Sequence, residues 1–136
     1  MDKILPRDLI ARASAWIAKL RARVPLGRRG ERAAEKYLRR NGYRIVKRNF
    51  RAAGAEIDLV AMDGDVLVFV EVKTRRSRDA GAPEEAVDER KQKQIRRAAE
   101  IFATRYREHE IEMRFDIVAI DASGDRLEIE LLRNAF

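Results

Sequence analysis

Apolar side chains recur at Leu9, Ile10, Ala13, Trp16, Ile17 and Leu20, a spacing that predicts an amphipathic helix over residues 7–23. Arg12, Lys19, Arg21 and Arg23 fall off that stripe, and Pro25-Leu26-Gly27 should break it. A second helix is expected over residues 28–41, with Ala34, Tyr37 and Leu38 facing inward and Asn41-Gly42 as its stop. Strands follow at Tyr43 to Phe50 and Glu56 to Met62, separated by a turn over Arg51 to Ala55. Asp63-Gly64-Asp65 is a hairpin signal. Val66 to Lys73 is a near-continuous apolar run, the pattern of a central strand covered on both faces. A polar loop over residues 74–83 leads to a helix from Pro83 to about Arg107, with Ile95, Ala98, Ala99, Phe102, Ala103 and Tyr106 as its buried stripe. Strands at Met113 to Asp121 and Leu127 to Leu132 close the chain, the latter with Leu127, Ile129 and Leu131 on one face. The order predicts an α/β fold, a central mixed β-sheet flanked by helices. It divides into a basic helical extension (1–26) and one α/β domain (27–136). The extension would pack on the core, pair with a partner or lie on a membrane surface, and the first is the commonest fate of such a helix.

Charge and composition narrow the chemistry. Residues 1–53 hold 16 Lys and Arg against 4 Asp and Glu, whereas residues 54–136 hold 14 against 19. A basic first third suggests a polyanion-facing surface, with a solubilising surface as the bland alternative. The 136 residues contain no cysteine and one histidine, so disulfides, iron–sulfur clusters, thiolate nucleophiles and cysteine-ligated zinc are excluded. A metal would have to be a hard cation held by oxygen. No run is long and apolar enough to span a bilayer and no secretory signal is visible, so a cytoplasmic protein is expected.

Glu71 and Lys73 interrupt the end of the most apolar strand and share a face of it. The Asp63–Asp65 hairpin makes the Asp58 strand an antiparallel neighbour and can bring Asp58 close to Glu71. Two carboxylates held close repel, and either a proton or a cation between them resolves the conflict. Mg²⁺ suits such donors, with Mn²⁺ as an alternative, and a lysine beside the ion favours attack on a phosphodiester. Glu-x-Lys alone fits a strand emerging at the surface better than a site; the aspartate on the neighbouring strand sharpens the signal. Glu31 heads the apolar stripe of its helix and Lys91 extends that of the later one. A first-turn acid and a snorkelling stem are the plain alternatives for these two. Arg114 and Asp116 read as a structural pair, and His109 as an exposed residue near a helix end.

These residues carry a resemblance. Gly30-Glu31, Ala34, Tyr37-Leu38, Asn49, Glu56-Ile57-Asp58-Leu59, Phe69 through Arg75, Gly81-Ala82-Pro83, Lys91, Arg114-Phe115-Asp116 and Asn134-Ala135-Phe136 occur in order from about residue 27 to the end. On them the chain resembles the YraN-like bacterial proteins of the PD-(D/E)xK restriction-endonuclease-like superfamily, distantly similar to archaeal Holliday-junction resolvases. The resemblance implies a metal site of Asp58, Glu71 and the Val72 carbonyl, with Lys73 activating water and Glu31 as an accessory acid. One departure is Ala55, with Gly54 before it, where the family usually has glycine directly ahead of the Glu-Ile-Asp run.

Three functions fit these residues. The first is a Mg²⁺-dependent endonuclease, with DNA favoured over RNA and branched or damaged structures among the candidates. The second is a nucleic-acid-binding protein that keeps the nuclease fold without catalysis. Its surface would comprise Arg28, Arg29, Arg39, Arg40, Lys47, Arg48 and Arg51, with Arg75, Arg76, Arg78 and Lys91 nearer the site. The third is a scaffold recruiting a partner or a membrane through the Trp16 helix. A homodimer is compatible with each.

Overall fold

The computed structural model describes residues 26–76, 81–106 and 110–136, together with residues 7, 11 and 12. The 7–23 helix with Trp16, and Arg78, His109 and the Tyr106 side chain, lie outside the described residues. The elements are α1 (Leu26–Arg40), β1 (Arg44–Ala52), β2 (Ala55–Asp63), β3 (Val66–Arg75), a single 3-10 turn (Pro83–Ala86), α2 (Glu89–Tyr106), β4 (Glu112–Asp121) and β5 (Glu128–Leu132). Among the described residues no helix is long and apolar enough to cross a membrane.

The strands form one sheet in chain order, β1-β2-β3-β4-β5. β3 and β4 are parallel and the other neighbours antiparallel. The parallel pair requires a crossover, and α2 supplies it. The expected α/β fold is therefore present: a five-stranded mixed sheet with a helix on each face.

Alternation along β3 explains its apolar run. Leu67 and Phe69 enter the core under α2, with Ile95, Ala98, Ala99 and Phe102. Val68 and Val70 enter the core under α1, with Ala34, Leu38 and Tyr43. Phe102 meets Phe50 and Phe69 edge-on at 5.0 and 6.0 Å, and Phe69 stacks on Phe115 at 5.5 Å. Leu127, Ile129 and Leu131 pack together on the α1 side, as their spacing predicts.

Several boundaries differ from expectation. α1 spans Leu26–Arg40, starting two residues before the expected residue 28 and ending one residue before 41. Tyr37 is only half-buried, because the inward line runs through Gly30, Ala34 and Leu38. The β1–β2 turn shrinks to Ala53-Gly54, both at positive φ (52° and 75°), as in a type I′ hairpin. The loop expected from residue 74 starts later, because β3 continues to Arg75 alongside β4. The long helix starts at Glu89, not Pro83. Asp88 caps it by accepting the Lys91 N–H at 2.8 Å, and Pro83–Ala86 forms only a 3-10 turn.

Candidate active site

The site forms where β2 parts from β3. Their ladder ends at Leu59 opposite Val70, one residue short of where Asp58 would face Glu71. On the other side of β2, Arg48 pairs with Leu59 and Phe50 with Ile57. Asn49, between them, has φ 50°, a left-handed conformation that asparagine tolerates better than most residues. Ile57 and Leu59 consequently enter opposite cores although they are two residues apart. The pleat is broken at Asp58, and its carboxylate turns into the slot vacated between the strands. There Oδ2 accepts the backbone N–H of Val72 at 2.7 Å. N–H and C=O of one extended residue point to the same side of a strand, so the Val72 carbonyl faces that slot too.

Glu71 and Lys73 fall on the α2 face of β3. Glu71 is 7% exposed. Its Oε1 accepts from Lys91 Nζ at 2.6 Å and lies 3.5 Å from Lys73 Nζ. Glu31, Glu56, Asp58, Glu71 and Lys91 line one open cleft of about 550 Å³, with Asp88, Arg90 and Gln94 at its α2 wall. A second hollow, of about 420 Å³, lies beyond Lys73 and is edged by Asp121, Glu128 and Glu130. Those acids disfavour a phosphate there.

Crowding among the acids shapes their proton affinity. Burial and the neighbouring Glu71 charge push the Asp58 carboxyl up to about 7, against the pull of the Val72 N–H. Burial, then Glu56 and Glu71, also raise Glu31, with Arg28 opposing. Burial and the charge of Lys91 lower Lys73, against the pull of Glu71. Burial is the largest single influence on Lys91 and works against its charge, but the hydrogen bond and charge of Glu71, with smaller contributions from Lys73 and Asp58, together outweigh it and raise Lys91. Two ammonium groups thus share one carboxylate, one held protonated and the other easier to deprotonate.

Glu31 reaches the cleft because α1 packs unusually close to the end of β3. A Cβ on Gly30 would stand 2.0 Å from Thr74 Oγ1 and 3.2 Å from Thr74 Cβ. Glu31 also lies beyond the first turn of α1, which contains no acid, so a dipole-complementing role does not account for it. We expect Gly30→Ala to cost about 1–3 kcal/mol in denaturant unfolding by forcing α1 off the strand. Adding Thr74→Ala should recover part of that loss. An unchanged midpoint for the single variant would contradict this contact.

The remaining basic residues divide. Arg48 is taken up by Glu35, which Arg39 also reaches at 2.9 Å. Arg51 pairs with Glu56 at 3.4 Å, and Arg75 donates to the Ala82 carbonyl at 3.0 Å. Arg29 is half-buried in α1, while Arg28 and Arg76 are exposed. Sequence reasoning missed Arg32 and Lys36. With Arg28 and Arg39 or Arg40 they form an exposed basic stripe opposite the buried line of α1. It also missed Asp88, whose position just before a helical apolar stripe was the available signal.

A five-stranded mixed sheet between two helices, with acids where the second and third strands diverge, defines a restriction-endonuclease-like α/β protein. Residues 30–120 match the family model described as "Uncharacterised protein family UPF0102", and the chain belongs to that family. It is 47% identical over 112 residues to a UPF0102 protein of Symbiobacterium thermophilum, covering 82% of this chain and 95% of the relative. A UPF0102 protein of Geobacter sulfurreducens is 51% identical over 112 residues (82% and 88% covered), and one of Geobacter metallireducens 48% over 111 (82% and 91%).

Proposed function

We propose that the chain is a divalent-metal-dependent nuclease hydrolysing nucleic-acid phosphodiesters, with DNA the favoured substrate. The observation that carries this reading is the convergence of Asp58 and Glu71 where β2 leaves β3, with Lys73 3.5 Å from Glu71. Among the described residues no group of three Asp, Glu, His or Cys side chains is arranged to hold a metal. Two carboxylates and one carbonyl nevertheless fit Mg²⁺ or Mn²⁺, because Mg²⁺ retains several waters when bound. Burial and the Glu71 charge raise the proton affinity of Asp58, and a cation between the two carboxylates would relieve that conflict. Asp58, Glu71 and the Val72 carbonyl would hold the ion. Bound there, it would supply charge stabilisation to the phosphate and a more acidic water.

The protein's own groups do the rest. Lys73, whose proton is loosened by burial, is suited to take a proton at Nζ from an attacking water. Lys91 and Arg90 add positive charge at the α2 wall, where the phosphate would lie. The basic stripe of α1 leads away from the Glu31 end of the cleft and would carry backbone phosphates, so binding should weaken steeply with salt. That stripe equally favours the second reading, a binder without catalysis. Arg48 and Arg51 contribute less than their charge suggests, because each already has an acid partner.

Cleavage of duplex, single-stranded and branched DNA and of RNA, with Mg²⁺ or Mn²⁺, tests the reading. Activity should depend on the metal and fall by roughly 10²–10³ in Glu71→Gln and Lys73→Met. Salt-dependent binding without any cleavage would leave the binder; neither would remove both.

A further inference from the structure

The ion pair between Glu71 and Lys91 has one fixed and one movable partner. Glu71 sits on the central strand and its side chain is 8% exposed. Lys91 springs from the first turn of α2, its backbone pinned by the Asp88 cap at 2.8 Å, and its side chain is 35% exposed. A four-carbon stem with one wet flank can swing its ammonium into the cleft, whereas Glu71 cannot follow. The contact is also the tightest on that carboxylate, 2.6 Å against 3.5 Å for Lys73. A divalent cation on the same carboxylate would meet an ammonium that already holds Oε1 at 2.6 Å, and the two positive charges repel unless the lysine withdraws.

We propose that Lys91 is the resident counter-ion of the metal site: it occupies Glu71 in the free protein and is displaced when a divalent cation binds. Released, its ammonium stands at the α2 wall of the cleft, available to a substrate phosphate. Metal entry and phosphate capture are thereby linked through one side chain. This rests on the metal-dependent reading above and deepens it, because it assigns Lys91 a positioning role instead of a passive contact.

Calorimetric titration of the full-length, metal-free protein with Mn²⁺ alone tests the idea. Removing a tethered competitor must tighten binding, so Lys91→Met and Lys91→Gln should bind Mn²⁺ roughly tenfold more tightly than the parent, and Lys91→Arg about equally. A lysine that only braces the fold would loosen the site when removed. Equal or weaker Mn²⁺ binding by the folded Met and Gln variants, with the parent binding normally, overturns the proposal and leaves the nuclease reading intact. A parent that binds Mn²⁺ no better than Glu71→Gln overturns both.

Discussion

Replacing Asp58 by asparagine is expected to make the protein more stable while removing the proposed metal-dependent cleavage. Burial and Glu71 raise the Asp58 carboxyl from its ordinary 3.8 to about 7 in the folded state. Below about pH 4 the group is protonated whether the chain is folded or not, and it contributes no pH dependence. Between about pH 4 and 7 the folded protein holds a proton that the unfolded chain has lost, so stability falls as pH rises through this window. Above about 7 both states are ionised and the full penalty remains. Asparagine keeps an oxygen to accept the Val72 N–H and carries no charge. The variant should gain about 1–2 kcal/mol at pH 8, roughly 3–8 °C in Tm, and lose the decline between pH 4 and 7. Mn²⁺ should raise the Tm of the parent but not of the variant. Thermal unfolding across pH, with and without the ion, measures all of this. A variant less stable than the parent at pH 8 would show that Asp58 is not held against its preference.

Asp116 makes the opposite prediction. It is fully buried on the α1 side of the sheet, the face away from Glu71. Arg114 grips both its oxygens at 2.9 Å, the Tyr43 hydroxyl donates to it at 3.2 Å and the Asn134 N–H at 3.0 Å. Asp116→Ala would leave a guanidinium, a hydroxyl and an amide short of a partner together. Breaking a buried pair on one side costs about 3–5 kcal/mol, which should lower Tm by roughly 10 °C or more. Arg114 keeps a contact to the half-exposed Asp63 at 2.9 Å. Asp63→Ala should therefore cost only about 1 kcal/mol. Comparable losses in the two variants would show that burial is not what gives the network its strength.

The elements were legible wherever periodicity was strong. The Val66–Arg75 run and the Ile95, Ala98, Phe102 stripe declare their structure because each faces a core the chain itself supplies. The pairing of Arg114 with Asp116 was legible for the same reason, since two charged residues in an apolar strand need partners. What stayed hidden depends on exceptions to periodicity. The turn of Asp58 into the sheet plane follows from Asn49 adopting a positive φ on the facing strand, and nothing local to Asp58 announces it. The start of α2 was misplaced because proline and two glutamates at 83–85 form a good helix opening, yet Asp88 offers a better cap to a helix that must aim Lys91 at β3. The role of Gly30 was invisible because its cause, Thr74, lies far along the chain.

The strand order has a kinetic corollary. Asp58, Glu71 and Lys73 all lie on two adjacent strands joined by the two-residue turn at Gly64-Asp65. Closing that hairpin is fast and entropically cheap, whereas docking β4 on β3 must wait for the whole α2 crossover to be spanned. The acids therefore meet during the earliest pairing steps, while Lys91 arrives only with the slow crossover. A chain caught midway would hold its negative charges face to face before the second ammonium reaches them, and divalent ions in the refolding buffer should accelerate passage through that stage.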